Sequence, residues 1–289
     1  MPVLNAMTID VEDYFHVSAF ASVVSPAEWS RLDSRVTDST EKVLGLLEQA
    51  GVHATFFVLG WVAERFPSLV RRISDDGHEI ASHSFDHGLV YDKSAELFRE
   101  DLRRAAGAIR DACGVQVRGY RAPSYSITER SMWALDVLAE EGYDYDSSIY
   151  PIHHDRYGVP TWTRHIHAME RGSRTMWELP GSTVRHFGVN LPVGGGGYFR
   201  LLPYGWTKRG IRRLNDVEGQ PAVFYLHPWE LDPGQPRLNV GLATRIRHYH
   251  NLAKTEGRLR ELLKDFRFGP VRDVLRLQAA AEQPSDNAR

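Results

Sequence analysis

The run Ala54-Thr-Phe-Phe-Val-Leu59 decides the fold class. It is short, continuous and apolar, as a parallel strand buried on both faces should be. Just before it, Val43, Leu46, Leu47 and Ala50 fall at helical spacing behind a candidate capping box, Asp38-Ser-Thr-Glu41, and Gly51 marks the stop. Just after it, Pro67 to Asp76 reads as a helix ended by Gly77, and His78-Glu-Ile-Ala-Ser-His83 resumes an extended run. Further out the order repeats: a helix over about Ala95 to Ala112 closed by Gly114, a strand near Val117 to Arg121, a helix over about Glu129 to Glu141 closed by Gly142, and a strand from Tyr143 to Ser148. The pattern lapses over about 150–200, a stretch rich in Gly, Pro, His and Trp that includes Gly194-Gly-Gly-Gly197. It returns with a helix near Tyr204 to Asp216, the strand Ala222-Val-Phe-Tyr-Leu226 and a helix over about Thr244 to Lys264, and upstream Val3 to Ile9 reads as the first strand. Repeated strand–helix units predict an α/β fold with a parallel sheet, open or closed into a barrel, and functional groups just beyond the strand ends.

At 289 residues and 42% hydrophobic, the chain can bury one substantial core. No linker is convincing enough to split it, so 1–289 is expected to form a single domain with an insertion at about 150–200 and a C-terminal extension after about 232. The tail from Ala279 to Arg289 is polar and rich in small residues and reads as a frayed end. A formal net charge of −2 provides no overall field to draw the chain to nucleic acid or an anionic membrane. The single cysteine, Cys113, rules out an internal disulfide and reads as a structural thiol in a helix. Neither a signal peptide nor a membrane span is legible, and a cytoplasmic location is expected.

The chemistry-bearing residues cluster at the strand ends. The first strand runs into Asp10-Val-Glu-Asp13, three carboxylates in four residues, which call for a cation or a shared proton unless they are simply an acidic surface turn. The strand ending at Ser82 leads into His83 and His87, which four-residue spacing would place on one face of a helical turn, both within reach of one ion. In a chain with 13 histidines such a pair also arises by chance, so its position opposite the carboxylates carries the argument. Arg121-Ala-Pro-Ser-Tyr-Ser126 combines a rigid proline with a guanidinium fork suited to a carboxylate, although an ordinary turn with a surface arginine fits as well. His227, in Tyr225-Leu-His-Pro-Trp229, could act as a general acid or be a core histidine.

In this order, from roughly Thr8 to His227, these segments resemble the polysaccharide deacetylases of carbohydrate esterase family 4, the chitooligosaccharide-deacetylase homology group. Ile9-Asp-Val-Glu-Asp-Tyr-Phe-His-Val-Ser-Ala-Phe20 and His227-Pro-Trp-Glu-Leu-Asp-Pro-Gly234 are also similar to the branch associated with exosortase-linked exopolysaccharide clusters. The resemblance implies a distorted (β/α) barrel of about seven strands and one divalent metal, zinc foremost with nickel or cobalt as alternatives, bound by a carboxylate and two histidines. It implies Asp10 as general base, His83 and His87 as ligands, and Arg121 as the group orienting the base. A backbone N–H near Ser124 or Tyr125 would serve as oxyanion donor, His227 as general acid and Asp146 as its orienting partner. The family usually has two adjacent aspartates where Val11 here separates Asp10 from the next carboxylate. The third ligand is therefore Glu12 or Asp13, and Glu12 is favoured because two steps along a strand return to the same face.

The implied reaction is N-deacetylation of a glycan, with an N-acetylglucosamine-containing exopolysaccharide as the expected partner. A small-amide hydrolase of the same fold, acting on a molecule such as allantoin, and a non-catalytic glycan-binding protein are the competing possibilities. In the irregular stretch, Trp162, Trp177, Tyr198 and Phe199 could stack on sugars or form a small core of their own. His153, His154, His165 and His167 could suggest a second metal, but a solvated His-rich loop is the simpler expectation.

Overall fold

The structure, a computed structural model, describes residues 2–282, with side-chain surroundings described through residue 276. Its strands in chain order are β1 (Leu4–Val11), β2 (Thr55–Val58), β3 (Glu79–Ser82), β4 (Gly119–Tyr120), β5 (Tyr145–Asp146), β6 (His167–Arg171), β7 (Arg174–Glu178), β8 (Thr183–His186), β9 (Val189–Pro192), β10 (Val223–Leu226) and β11 (Arg267–Gly269). The main sheet runs β10-β1-β2-β3-β4-β5-β7-β6, and every pairing from β10 to β7 is parallel. The seven strands from β10 to β7, with β11 added in parallel against the start of β1, make the α/β architecture that the repeating pattern predicts.

Alternation along β1 sorts its side chains. Met7, Ile9 and Val11 point outward into the large apolar cluster shared with the helices, where Phe56, Val58, Phe224 and Leu226 also lie. Ala6 points inward to meet Phe57, Ala81, Tyr145, Leu179 and Val223. Thr8 and Asp10 share the parity of Ala6, so the polar groups sit on the enclosed face, toward its carboxyl end.

The sheet does not close through a continuous ladder. Between β7 and β10 the seam is bridged by single bonds: Val193 N–H donates to Ser182 O (3.0 Å), Val223 N–H to Ser182 Oγ (2.7 Å) and Tyr225 N–H to Gly194 O (2.8 Å). Gly195 forms an isolated parallel bridge with Tyr225. An added Cβ would lie 2.0 Å from Tyr225 O at Gly195 and 2.6 Å from Val223 O at Gly194, so the backbone contact requires glycine at both. The glycine run is thus structural, and the irregular stretch holds β6–β9 and a short helix, Gly196–Leu201, rather than an open loop.

Two helix boundaries differ from expectation. The first helix runs Val36–Ala50, two residues ahead of the proposed capping box, and its start is capped from a distance by Asp13, whose Oδ2 accepts from Arg35 N–H (2.9 Å) and Val36 N–H (3.1 Å). The single helix expected over about Thr244 to Lys264 is two, Leu242–Tyr249 and Leu252–Asp265, broken at Asn251, where φ is +58°. Ala279 to Glu282 belong to a last helix, Val271–Glu282, and the rest of the expected frayed tail lies outside the described residues. No helix among the described residues is long and apolar enough to cross a membrane. Cys113, half-buried, donates to Ile109 O within its own helix (3.3 Å), as a structural thiol would.

Candidate active site

Parity puts Thr8, Asp10 and Glu12 on one side of β1, and all three are buried. Arg121, fully buried just after β4, meets them from across the barrel. Its Nη1 donates to Asp10 Oδ1 (2.7 Å) and Thr8 Oγ1 (2.8 Å), Nη2 to Ser147 Oγ (2.9 Å) and Nε to Ser147 O (3.2 Å). The guanidinium also lies 4.2 Å over the Phe57 ring, which removes its remaining freedom.

His83 and His87 follow β3, but not on a helical turn. The segment is a loop with Ser84 at φ +66° and His87 at φ +56°, held by Gly60 N–H to Ser84 O (2.9 Å), Trp61 N–H to Phe85 O (2.9 Å) and Phe85 N–H to the Asp101 carboxylate. Left-handed backbone at non-glycine residues is strained and persists here because its neighbours fix it. His83 Nδ1 sits 2.8 Å from Arg121 O, which can only accept, so Nδ1 carries the proton and Nε2 keeps its lone pair. Burial depresses the His83 pKa to about 4, so the ring is neutral at pH 7.

One ligand atom each from Glu12, His83 and His87 lies within 4.8 Å of the others, the one such convergence among the described residues. Glu12 Oε1 accepts from Trp229 Nε1 (3.1 Å). Glu12 Oε2 is 2.7 Å from His87 Nε2, yet no hydrogen bond satisfies it. A buried carboxylate oxygen left without a donor, beside two imidazoles, is what a site shaped for a cation presents. Burial opposes ionisation of Glu12, but the neighbouring His87 and His227 outweigh it and hold the group well below the usual carboxylate range. The donor set therefore fits a divalent metal.

His227 stands at the end of β10. Its Nε2 lies 3.6 Å from Glu12 Oε1 and 3.8 Å from Asp10 Oδ2, and its Nδ1 contacts Glu230 Oε1 at 2.7 Å. Burial alone would lower its pKa. The charge of Glu12, the hydrogen bond and charge of Glu230, and Asp10 reverse that and lift it to about 9. Glu230 is fixed on its other side by the buried Arg200 (Nε to Oε2, 2.5 Å), which also donates to the carbonyls of Arg247 (2.9 Å), His248 (2.8 Å) and His250 (3.2 Å). Trp229 stacks between His227 and His248.

Two expected roles are corrected. Asp13 does not approach His83 and His87. Its Oδ1 accepts from Tyr14 N–H (3.0 Å), and its Oδ2 accepts from Ser34 Oγ (2.6 Å) as well as the two helix amides. The chain turns after Glu12, so the next carboxylate faces the helix. Asp146 does not orient His227 either; Glu230 occupies that position. Asp146 binds Ser148 through its N–H (3.0 Å) and Oγ (2.5 Å), and Ser148 Oγ accepts from Ala122 N–H (2.7 Å), so Asp146 steadies the turn that follows Arg121. In that turn Ser124 and Tyr125 both stand at φ +53° and line the cleft, but Tyr125 N–H already donates to Ala122 O (3.1 Å).

Glu230 and Arg200 are not among the residues that the strand-end pattern singles out. The three-residue spacing of His227 and Glu230, with Glu230 Oε1 also accepting from His227 N–H (3.1 Å), was a readable signal for the first. Nothing local pointed to Arg200. Among the described residues the other histidines form no second such group: His154 stacks on Tyr157 and His165 pairs with Glu218. Trp162, Trp177 and Phe199 pack against core, and only Tyr198 of the four rings joins the tyrosine cluster beside the cleft. The cleft holds about 230 Å³ and opens over Asp10, Glu12, His83, His87 and His227.

Residues 29–145 match the polysaccharide deacetylase family model, and residues 147–276 match a domain of unknown function, DUF3473. The chain is 31% identical over 129 residues to a peptidoglycan-N-acetylglucosamine deacetylase of Bacillus cereus (44% of this chain, 46% of the relative). It is 43% identical over 102 residues to a chitooligosaccharide deacetylase of a Bradyrhizobium species (35% and 43%). The chain thus spans less than half the length of these relatives. A solved structure from Mycobacterium smegmatis, described as a "putative polysaccharide deacetylase", superposes with a TM-score of 0.65 at 21% identity, covering 100% of this chain and 94% of that one, which establishes the shared fold.

Proposed function

Because residues 29–145 match the polysaccharide deacetylase family model, we propose that this chain is a metal-dependent hydrolase of the carbohydrate esterase family 4 type, removing N-acetyl groups from a glycan. The observation that carries this reading is the convergence of Glu12, His83 and His87 beside Asp10 and His227. A divalent cation held by those three residues, zinc foremost with nickel or cobalt as alternatives, would supply Lewis acidity to the acetamide carbonyl and acidify a water.

The chain's own groups account for the remaining steps. Asp10, aligned by Arg121, takes the proton of the attacking water. The Ser124 amide, in its left-handed turn, is the candidate donor to the oxygen that gains charge as the carbonyl becomes tetrahedral. His227, cationic near neutrality, gives its proton to the leaving amine as the C–N bond breaks, so acetate and a free amino sugar result. The similarity of Ile9 to Phe20 and of His227 to Gly234 to the exosortase-linked branch supports an N-acetylglucosamine-containing exopolysaccharide as the substrate. The small cyclic-amide alternative finds no support in the relatives, which are described as glycan deacetylases.

The test is acetate release from acetylated oligosaccharides with metal analysis of the same preparation. Parent protein should release acetate and lose that activity on chelation. Asp10→Asn should retain metal with activity reduced at least about 100-fold, and His83→Ala should lose both. Undiminished acetate release by the His83→Ala protein would overturn the reading.

A further inference from the structure

Beyond its metal-ligand and acid–base groups, the cleft wall carries two arginines from separate parts of the chain. Arg156 lies in the loop between β5 and β6, and Arg247 on the helix Leu242–Tyr249. Among the described residues, neither guanidinium has a carboxylate within salt-bridge distance. The other charged groups lining the cleft are engaged: Asp10 by Arg121, and Glu12 by Trp229, His87 and His227. Asp155, the one carboxylate in the Arg156 turn, is largely exposed; it lies 3.0 Å from His154 Nδ1, which already accepts from Arg156 N–H, and outside salt-bridge distance of either guanidinium.

The two arginines act on one spot. His154, stacked on Tyr157 with centroids 3.8 Å apart, feels both: burial first, then the charges of Arg247 and Arg156, lower its pKa against the pull of Asp155. Arg247 is anchored as well, since its carbonyl accepts from Arg200 Nη2 (2.9 Å), so its helix is tied to the element that holds Glu230. Like charges gathered at a cleft with no counter-ion are costly until an anion enters. A guanidinium fork matches the two oxygens of a carboxylate.

Resting on the deacetylase reading above, we propose that the cleft selects an acidic glycan, with Arg156 and Arg247 binding the carboxylate of a hexuronate unit that neighbours the acetamido sugar. The metal-side residues then define which bond is cut, and the arginine pair defines which polymer enters.

The experiment uses a tetrasaccharide alternating N-acetylglucosamine with glucuronate, and the same tetrasaccharide with its glucuronates reduced to glucose. Equilibrium binding by calorimetry and acetate release are measured for the parent, Arg156→Gln/Arg247→Gln and Arg247→Glu. The parent should bind the acidic form at least about 10-fold more tightly than the reduced form, with a preference that shrinks as salt rises. The double variant should bring that ratio close to one, and Arg247→Glu should invert it. Equal binding of the two forms by the parent, or a ratio unchanged in the double variant, overturns the proposal. Preferential binding of the acidic form without acetate release would sink the deacetylase reading and leave this one standing; acetate release from both forms with equal binding would do the reverse.

Discussion

Glu12 and Asp13 are neighbours in sequence but face different structures. Glu12 points at two imidazoles with one oxygen unsatisfied, and Asp13 caps a helix that begins 23 residues later. Asp13→Ala should therefore lower stability by about 2–3 kcal/mol, because two helix amides and Ser34 lose a charged acceptor, while the metal content per folded molecule stays at the parent value. Glu12→Gln should do the opposite, keeping the melting temperature of the metal-free protein and losing the metal. Paired melting and metal analyses separate them, and metal loss in Asp13→Ala alone would reassign the ligand. Glu230 is open to a pH test. A general acid works only while protonated, so activity falls as pH rises through the His227 pKa, which Glu230 helps to raise. Glu230→Gln should thus move the alkaline limb of kcat/KM to lower pH, and an unmoved limb would deny Glu230 that role. At this scale, residues were legible where strand ends gather them: Asp10, Glu12, His83, His87, Arg121 and His227 do line one region. Their partners were not legible, because a hydrogen bond from Arg200 to Glu230 depends on packing between segments that no local pattern records.

Elements with a strong period were readable, and those shaped by distant contacts were not. The helix Ala95–Cys113, capped by Ser94 and stopped by Gly114 at φ +75°, follows its sequence signals almost to the residue. By contrast, β6–β9 are short and lie among Gly, Pro and Trp, so neither period could emerge, and the break at Asn251 follows from tertiary contacts: its Nδ2 donates to Arg200 O (2.9 Å), and Arg200 binds the preceding carbonyls. The glycine run stands out in the sequence, but its purpose lies in the barrel seam, which no local pattern records. Gly195→Ala should destabilise the protein by more than about 2 kcal/mol, since its Cβ would meet Tyr225 O and its backbone is at φ +121°. Gly205→Ala, in a helix with nothing within 4 Å, should be neutral or slightly stabilising. Urea unfolding of both variants checks this, and equal stability would mean that the seam tolerates displacement.

For the molecule as a whole, the least expected cost is a pair of carboxyls on neighbouring strands. Asp146 and Glu178 are in register on β5 and β7, and both are fully buried. Burial raises Asp146 to about 6 despite its hydrogen bonds, and burial followed by the charge of Asp146 drives Glu178 well above the carboxylate range. The folded pair holds a proton that the unfolded chain has released, so the folded state binds more protons from the ordinary carboxylate range upward, past about pH 6 where Asp146 titrates and on to the raised Glu178, and stability falls as pH rises through that window. Glu178→Gln, which cannot ionise, should gain melting temperature relative to the parent as pH goes from 5 to 8. A constant difference across that range would show that the pair carries no linked proton. The place of β1 in the sheet also governs the order of events during synthesis. One edge of that strand pairs with residues 55–58 soon after they are made, whereas the other waits for residues 223–226. The three proposed metal ligands all precede residue 88, whereas His227 and β10 lie beyond three-quarters of the chain, so a chain shortened before β10 keeps the proposed ion-holding residues but has neither the proposed general acid nor the Trp229 donor that fixes Glu12.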